Sequence, residues 1–197
     1  YIQYLLNTYG DESVYNSFLV DDFGGNEQLP MHLKLLPNRP GFNDNTNVVK
    51  SIIVIRDSER DAEAAEQSIH SILSNAGFSV PDNPCEIANP KDGTHNVYVA
   101  YVLFPDINSK KSNGTLEDLC LNILSKNDKL DLALKTTTST ISAMETQGCC
   151  LARKHKNKLH TYLSLTDEYV GLKIGESAKA NAFDFSESRM EPLRILM

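Results

Sequence analysis

The chain has 197 residues, 41% of them hydrophobic and 23% charged, the balance of one globular domain with or without an appended segment. No apolar run approaches the roughly 18 residues of a membrane span and no secretory leader is recognisable, so the expected setting is cytoplasmic, without membrane attachment. The formal net charge of −7 excludes attraction of nucleic acid through the overall field; a nucleic-acid enzyme with this balance needs metal ions and a local basic patch.

Residues 1–9 (YIQYLLNTY) read as the end of an amphipathic helix closed by Gly10, and residues 17–21 (SFLVD) as a strand before the turn Phe23-Gly24-Gly25-Asn26. That glycine pair is a turn rather than a phosphate cradle, because no long helix of the dinucleotide-binding type follows. The spacing of Leu29, Leu33 and Leu36 predicts a short helix over 27–36 with Pro30 in its first turn, and the Pro-, Gly- and Asn-rich stretch 37–47 predicts a loop. Residues 48–56 (VVKSIIVIR) give the strongest strand signal: a continuous apolar core, as in a parallel sheet covered on both faces, ending in Asp57-Ser58-Glu59-Arg60-Asp61. A helix over 61–76 follows, with Ala65, Ile69, Ile72, Leu73 and Ala76 on one stripe and Gly77 as its stop.

A second apolar strand is predicted over 97–104, running into Pro105-Asp106 and a polar turn. Thr115 starts a helix of about ten residues, with Asp118 at capping-box spacing. The Thr/Ser run at 135–150 resists assignment: a helix from 141 competes with β-branched crowding, and the run reads as a surface element. Helices are expected over 156–165 and near 172–180. Alternation of apolar strands with amphipathic helices argues for an α/β fold, a mainly parallel sheet flanked by helices, with sites at the carboxyl ends of the strands.

The four cysteines, Cys85, Cys120, Cys149 and Cys150, contain no C-x-x-C pair, which points away from zinc and toward reduced thiols. His32, His70, His95, His155 and His160 are scattered and read as structural or solvated. Arg153, Lys154, Lys156 and Lys158, with His155 among them, form either a solvated polar turn or a basic patch.

The acids fall where such a sheet puts its sites. Asp57 and Glu59 follow the first strong strand, Asp106 follows the second, and Glu117 and Asp118 open the next helix. Two readings stay open. Acids in the first turn of a helix oppose its dipole and need no further role. Acids from separate loops gathered at one edge instead repel one another until a hard cation such as Mg²⁺ or Mn²⁺ joins them.

Four stretches in order carry a resemblance: FLVDDFGGNEQLPMHLKLL, VKSIIVIRDSERDAEAAEQSIHSILSNAGF, VYVAYVLFPDINSKKSNGTLEDLCLNIL and KNKLHTYL at 156–163. Together they span most of residues 17–184, and the chain resembles a bacterial Toprim-like family of unknown function related to the OLD nucleases. The resemblance implies a Toprim-like domain over 1–135, completed or flanked by a helical and irregular segment over 136–197. It also implies that a first strand, carrying a glutamate followed by glycine, lies before Tyr1. The family's acidic triplet falls on Asp57 and Glu59, where the usual D-x-D reads Asp-Ser-Glu, one methylene longer at its second acid. Its G-x-L-E glutamate falls on Glu117, beside Asp118; its Pro-Asp acid is Asp106; its late lysine is Lys156 or Lys158.

The implied activity is hydrolysis of DNA or RNA phosphodiesters, with Asp57, Glu59 and Glu117 holding Mg²⁺ or Mn²⁺ and Lys156 or Lys158 meeting the phosphate. The resemblance adds work in phage defence beside an ATPase partner or as a homo-oligomer. The chain has no G-x-x-x-x-G-K-[ST] loop of its own. The competing expectation is a catalytically inactive Toprim-like binding or regulatory module.

Overall fold

A computed structural model describes residues 18–42, 49–107, 112–125, 128–149 and 153–196. The helix expected over 1–9 lies outside them. The chain divides into two compact units, one of Leu19–Gly114 with Arg189–Met197, the other including Thr115–Ser188.

The first unit is mixed α/β. Helix α1 (Leu29–Leu35) runs into a 3-10 turn (Leu36–Asn38), followed by strand β1 (Ser51–Asp57), helix α2 (Ala62–Asn75), strand β2 (Tyr98–Phe104) and, at the end of the chain, helix α7 (Glu191–Leu196). β1 and β2 pair in parallel, Ser51 opposite Tyr98 through Asp57 opposite Phe104. Parallel neighbours need a crossover, and α2 supplies it. Its start is fixed by Asp61, whose side chain accepts from the Ala64 N–H at 2.9 Å. Its end is fixed by Gly77, at φ 79°, a conformation open to glycine at no steric cost.

The stripe of α2 predicted from spacing packs as expected. Ala65, Ile69 and Leu73 join Leu29 and Leu33 of α1, Val54 of β1 and Val99, Tyr101 and Leu103 of β2 in one buried cluster. Phe42 and Phe78 close it edge to face, with centroids 6.0 Å apart. β2 is buried from Val99 to Phe104, whereas in β1 only Val54 is, and its isoleucines are half-exposed. The other edge of β2 is covered by the 85–88 segment. Cys85 N–H donates to Tyr101 O at 2.8 Å, and Ala88 and Val99 exchange antiparallel bonds.

Two expectations are corrected here. Residues 18–21 are not a strand: the Asp22 carboxylate accepts from the Gly24 N–H at 2.8 Å, and Asp21 pairs with His32 and Arg39, so local turn bonds take the place of a ladder. The start of the loop predicted from Pro37 is a 3-10 turn, with Arg39 N–H on Leu36 O at 3.0 Å.

The second unit is helical: α3 (Leu116–Asn122), α4 (Asp128–Thr146), α5 (Lys154–Ser164) and α6 (Ile174–Lys179). Leu119, Cys120, Leu159, Tyr162, Leu163, Ala178 and Ala182 are buried in it. The Thr/Ser run is helical as far as Thr146, where α4 ends, and largely exposed. Three of its hydroxyls bond back to carbonyls four residues earlier, Thr136 to Leu132, Thr138 to Leu134 and Thr140 to Thr136, at 2.8–3.0 Å. These three side chains thereby satisfy themselves without leaving the helix, whereas the buried Thr137 hydroxyl has no hydrogen-bond partner among the described residues. Among the described residues no helix is long and apolar enough to cross a membrane.

Candidate functional site

The carboxyl end of β1 is held by an unusual density of bonds. Asp57 is the last residue of the strand, in register with Phe104. Ser58 next to it is buried, and its backbone N–H donates to Phe104 O at 2.9 Å. Its hydroxyl reaches Phe104 O and Ser112 O at 2.7 Å each and Gly114 O at 3.3 Å. Glu59 N–H donates to Gly114 O at 2.8 Å, and Ala62 N–H to Asn113 Oδ1 at 2.9 Å. Residues 112–114 are thus sewn to the acidic stretch, and Glu59 is held at φ 58°, a left-handed conformation uncommon outside glycine.

This stretch walls an open concavity of about 360 Å³, lined by Arg56, Ser58, Glu59, Arg60 and Asp61 with the first turn of α2. Arg56 is half-buried. Burial lowers the pKa of its guanidinium, while the nearby charges of Glu59 and Asp57 oppose that shift. Asp106, half-buried, lies two residues past the end of β2 in the same unit.

Glu117, Asp118, Lys156 and Lys158 belong to the helical unit. Asp118 is the capping-box acid that its spacing predicted: Oδ2 accepts from Thr115 N–H at 2.9 Å and faces Thr115 Oγ at 3.3 Å. Its Oδ1 pairs with His155 Nδ1, joining α3 to α5. Lys154 pairs with Glu145 at 2.8 Å, joining α5 to α4. Lys156 is exposed and Lys158 half-buried. Among the described residues no three His, Cys, Asp or Glu side chains gather as a metal-holding group.

Three features escaped the sequence reading. Arg56 hides at the end of an apolar run, where its type gives no warning. The Asp118–His155 pair joins residues distant in sequence. The third is a buried chain from α2 to β2: Tyr101 donates its hydroxyl proton to Glu66 Oε1 at 2.9 Å, and its oxygen meets His70 Nε2 at 3.1 Å. Tyr101 has one proton and gives it to Glu66, so His70 must donate through Nε2. Burial, then the bond to Glu66, pushes the Tyr101 pKa far up. The only trace in sequence is an acid flanking the apolar stripe of α2.

A family described as "Protein of unknown function (DUF3226)" matches residues 1–194. No curated protein and no solved structure matches the chain.

Proposed function

We propose, for a chain that belongs to the DUF3226 family of proteins of unknown function, metal-dependent hydrolysis of a nucleic-acid phosphodiester at the carboxyl end of β1. The observation that carries this reading is the concavity there, walled by Glu59 and Asp61 together with Arg56 and Arg60, directly after Asp57. Carboxylate oxygens and guanidinium groups in one open site are the complements of a hard cation and a phosphate. The resemblance of the ordered motifs to Toprim-like proteins points to the same chemistry.

Asp57, Glu59 and Asp106 each offer the hard oxygen ligands that Mg²⁺ or Mn²⁺ prefers, all within one unit, although among the described residues no three such side chains gather into one ligand group. Asp118 fits less well, because Thr115 and His155 occupy both of its oxygens. A bound divalent cation would neutralise phosphate charge and lower the pKa of a bound water. The chain's own part is to fix the acids: the Ser58 hydroxyl and the Glu59 and Ala62 amides lock the backbone that carries them.

The test is incubation of the full chain with plasmid DNA and with transfer RNA, in Mg²⁺ and in Mn²⁺. Cleavage abolished by Asp57→Ala and by Glu59→Ala supports the proposal, and Glu117→Ala reports whether the helical unit contributes. The second reading, a non-catalytic binding module, is favoured by Glu59 standing where the D-x-D pattern has aspartate. Absence of cleavage, with no Mn²⁺ binding by calorimetry, would select it.

A further inference from the structure

The expected phosphate contacts, Lys156 and Lys158, lie in the helical unit, but the wall of the β1 concavity carries a cation of its own. Arg56 is half-buried one residue before Asp57. Among the described residues its guanidinium makes one long hydrogen bond, Nε to Asp57 O at 3.4 Å, and no ion pair. Among the described residues its terminal nitrogens therefore have no hydrogen-bond partner, and the residue lines the open concavity. A partly desolvated cation with unused donors is costly to keep. A planar fork in that state matches two oxygens of a phosphate, an arrangement lysine cannot reproduce.

The charge of the wall narrows the ligand. Arg56 and Arg60 stand against Glu59 and Asp61, with the charge of Asp57 acting on Arg56, and the Asp61 carboxylate is turned to the Ala64 amide. A site whose two cations are slightly outnumbered by acids accepts a singly charged anion more readily than a multiply charged one. A diester carries a single charge, so it is favoured over free phosphate. The concavity of about 360 Å³ has room for one phosphate with an attached sugar, and its open side leaves the rest of a strand in solvent.

We propose that Arg56, assisted by Arg60 on the same wall, anchors one phosphodiester group of the substrate in the concavity at the end of β1. The anchor deepens the hydrolase reading and rests on it for the identity of the substrate, but binding can be measured without turnover.

The experiment titrates the full chain with a dinucleoside monophosphate and, separately, with inorganic phosphate, following amide shifts by NMR. Arg56→Gln is expected to weaken dinucleoside monophosphate binding at least tenfold, Arg56→Lys to recover part of the loss, and Lys91→Gln, an exposed control, to change nothing. Inorganic phosphate is expected to bind more weakly than the diester. Because the burial cost of the Arg56 charge is opposed by the nearby charges of Glu59 and Asp57, and it makes no ion pair among the described residues, Arg56→Gln should change the melting temperature little. Unchanged diester binding in Arg56→Gln, no diester binding by the wild type, or a clear fall in melting temperature would each overturn the anchor. Arg56-dependent binding without cleavage of plasmid or transfer RNA would sink the hydrolase reading and leave the anchor standing. Cleavage whose KM is indifferent to Arg56→Gln would do the reverse.

Discussion

Replacing Ser58 with alanine tests whether the acidic stretch is held by the bonds that converge on it. The hydroxyl has one proton and three carbonyl oxygens within 3.3 Å, so the loss is not three hydrogen bonds. Phe104 O keeps the Ser58 N–H at 2.9 Å and Gly114 O keeps the Glu59 N–H at 2.8 Å. Ser112 O alone would lose the donor described for it. Removing one oxygen leaves almost no cavity, so the cost is that of one orphaned acceptor, about 1–2 kcal/mol. Urea denaturation should show that destabilisation. Hydrogen exchange should localise it, with the Ser58 and Glu59 amides losing protection before those of α2. A change under about 0.5 kcal/mol, the range of an ordinary surface substitution, with both amides still protected, would show that the backbone holds this stretch unaided.

Tyr101→Phe leaves the buried Glu66 carboxylate one donor short and deprives His70 of its acceptor, which should cost about 1.5–3 kcal/mol in chemical denaturation; a neutral result would mean that the chain of bonds contributes nothing to stability. Stability should also fall at alkaline pH. Burial pushes the Cys85 thiol up to about 12. Burial, with the charges of Tyr169, Asp131 and Glu168, pushes Tyr162 to about 12 as well, and Tyr101 is raised too. These acids ionise at lower pH when unfolded, so the stability they contribute is complete below about pH 8.5 and declines as pH rises toward the folded values, by at most about 1.4 kcal/mol per pH unit for each group. Denaturation midpoints that stay flat from pH 8 to 11 would contradict this.

The elements legible in the sequence were those whose signal is local. The β2 run and the α2 stripe declare their burial through spacing, and Asp61, Gly77, Thr115 and Asp118 mark helix ends through chemistry that acts within a few residues. α4 was not legible, because threonine's β-branching argues against a helix until its hydroxyls are seen bonding to their own carbonyls. The candidate site divides the same way. Placing Asp57 and Glu59 at a strand end needed only the strand. The bond from Ser58 to a carbonyl 54 residues away needed the tertiary structure, as did the exposure of Arg56 to open space.

The short segment laid along β2 has a bearing on how this sheet can grow. Ala88 and Cys85 occupy the main-chain groups that a newcomer on that side would require. Among the described residues, room for extension is therefore left at the flank of β1, where Ile52, Ile53 and Ile55 still have surface to cover.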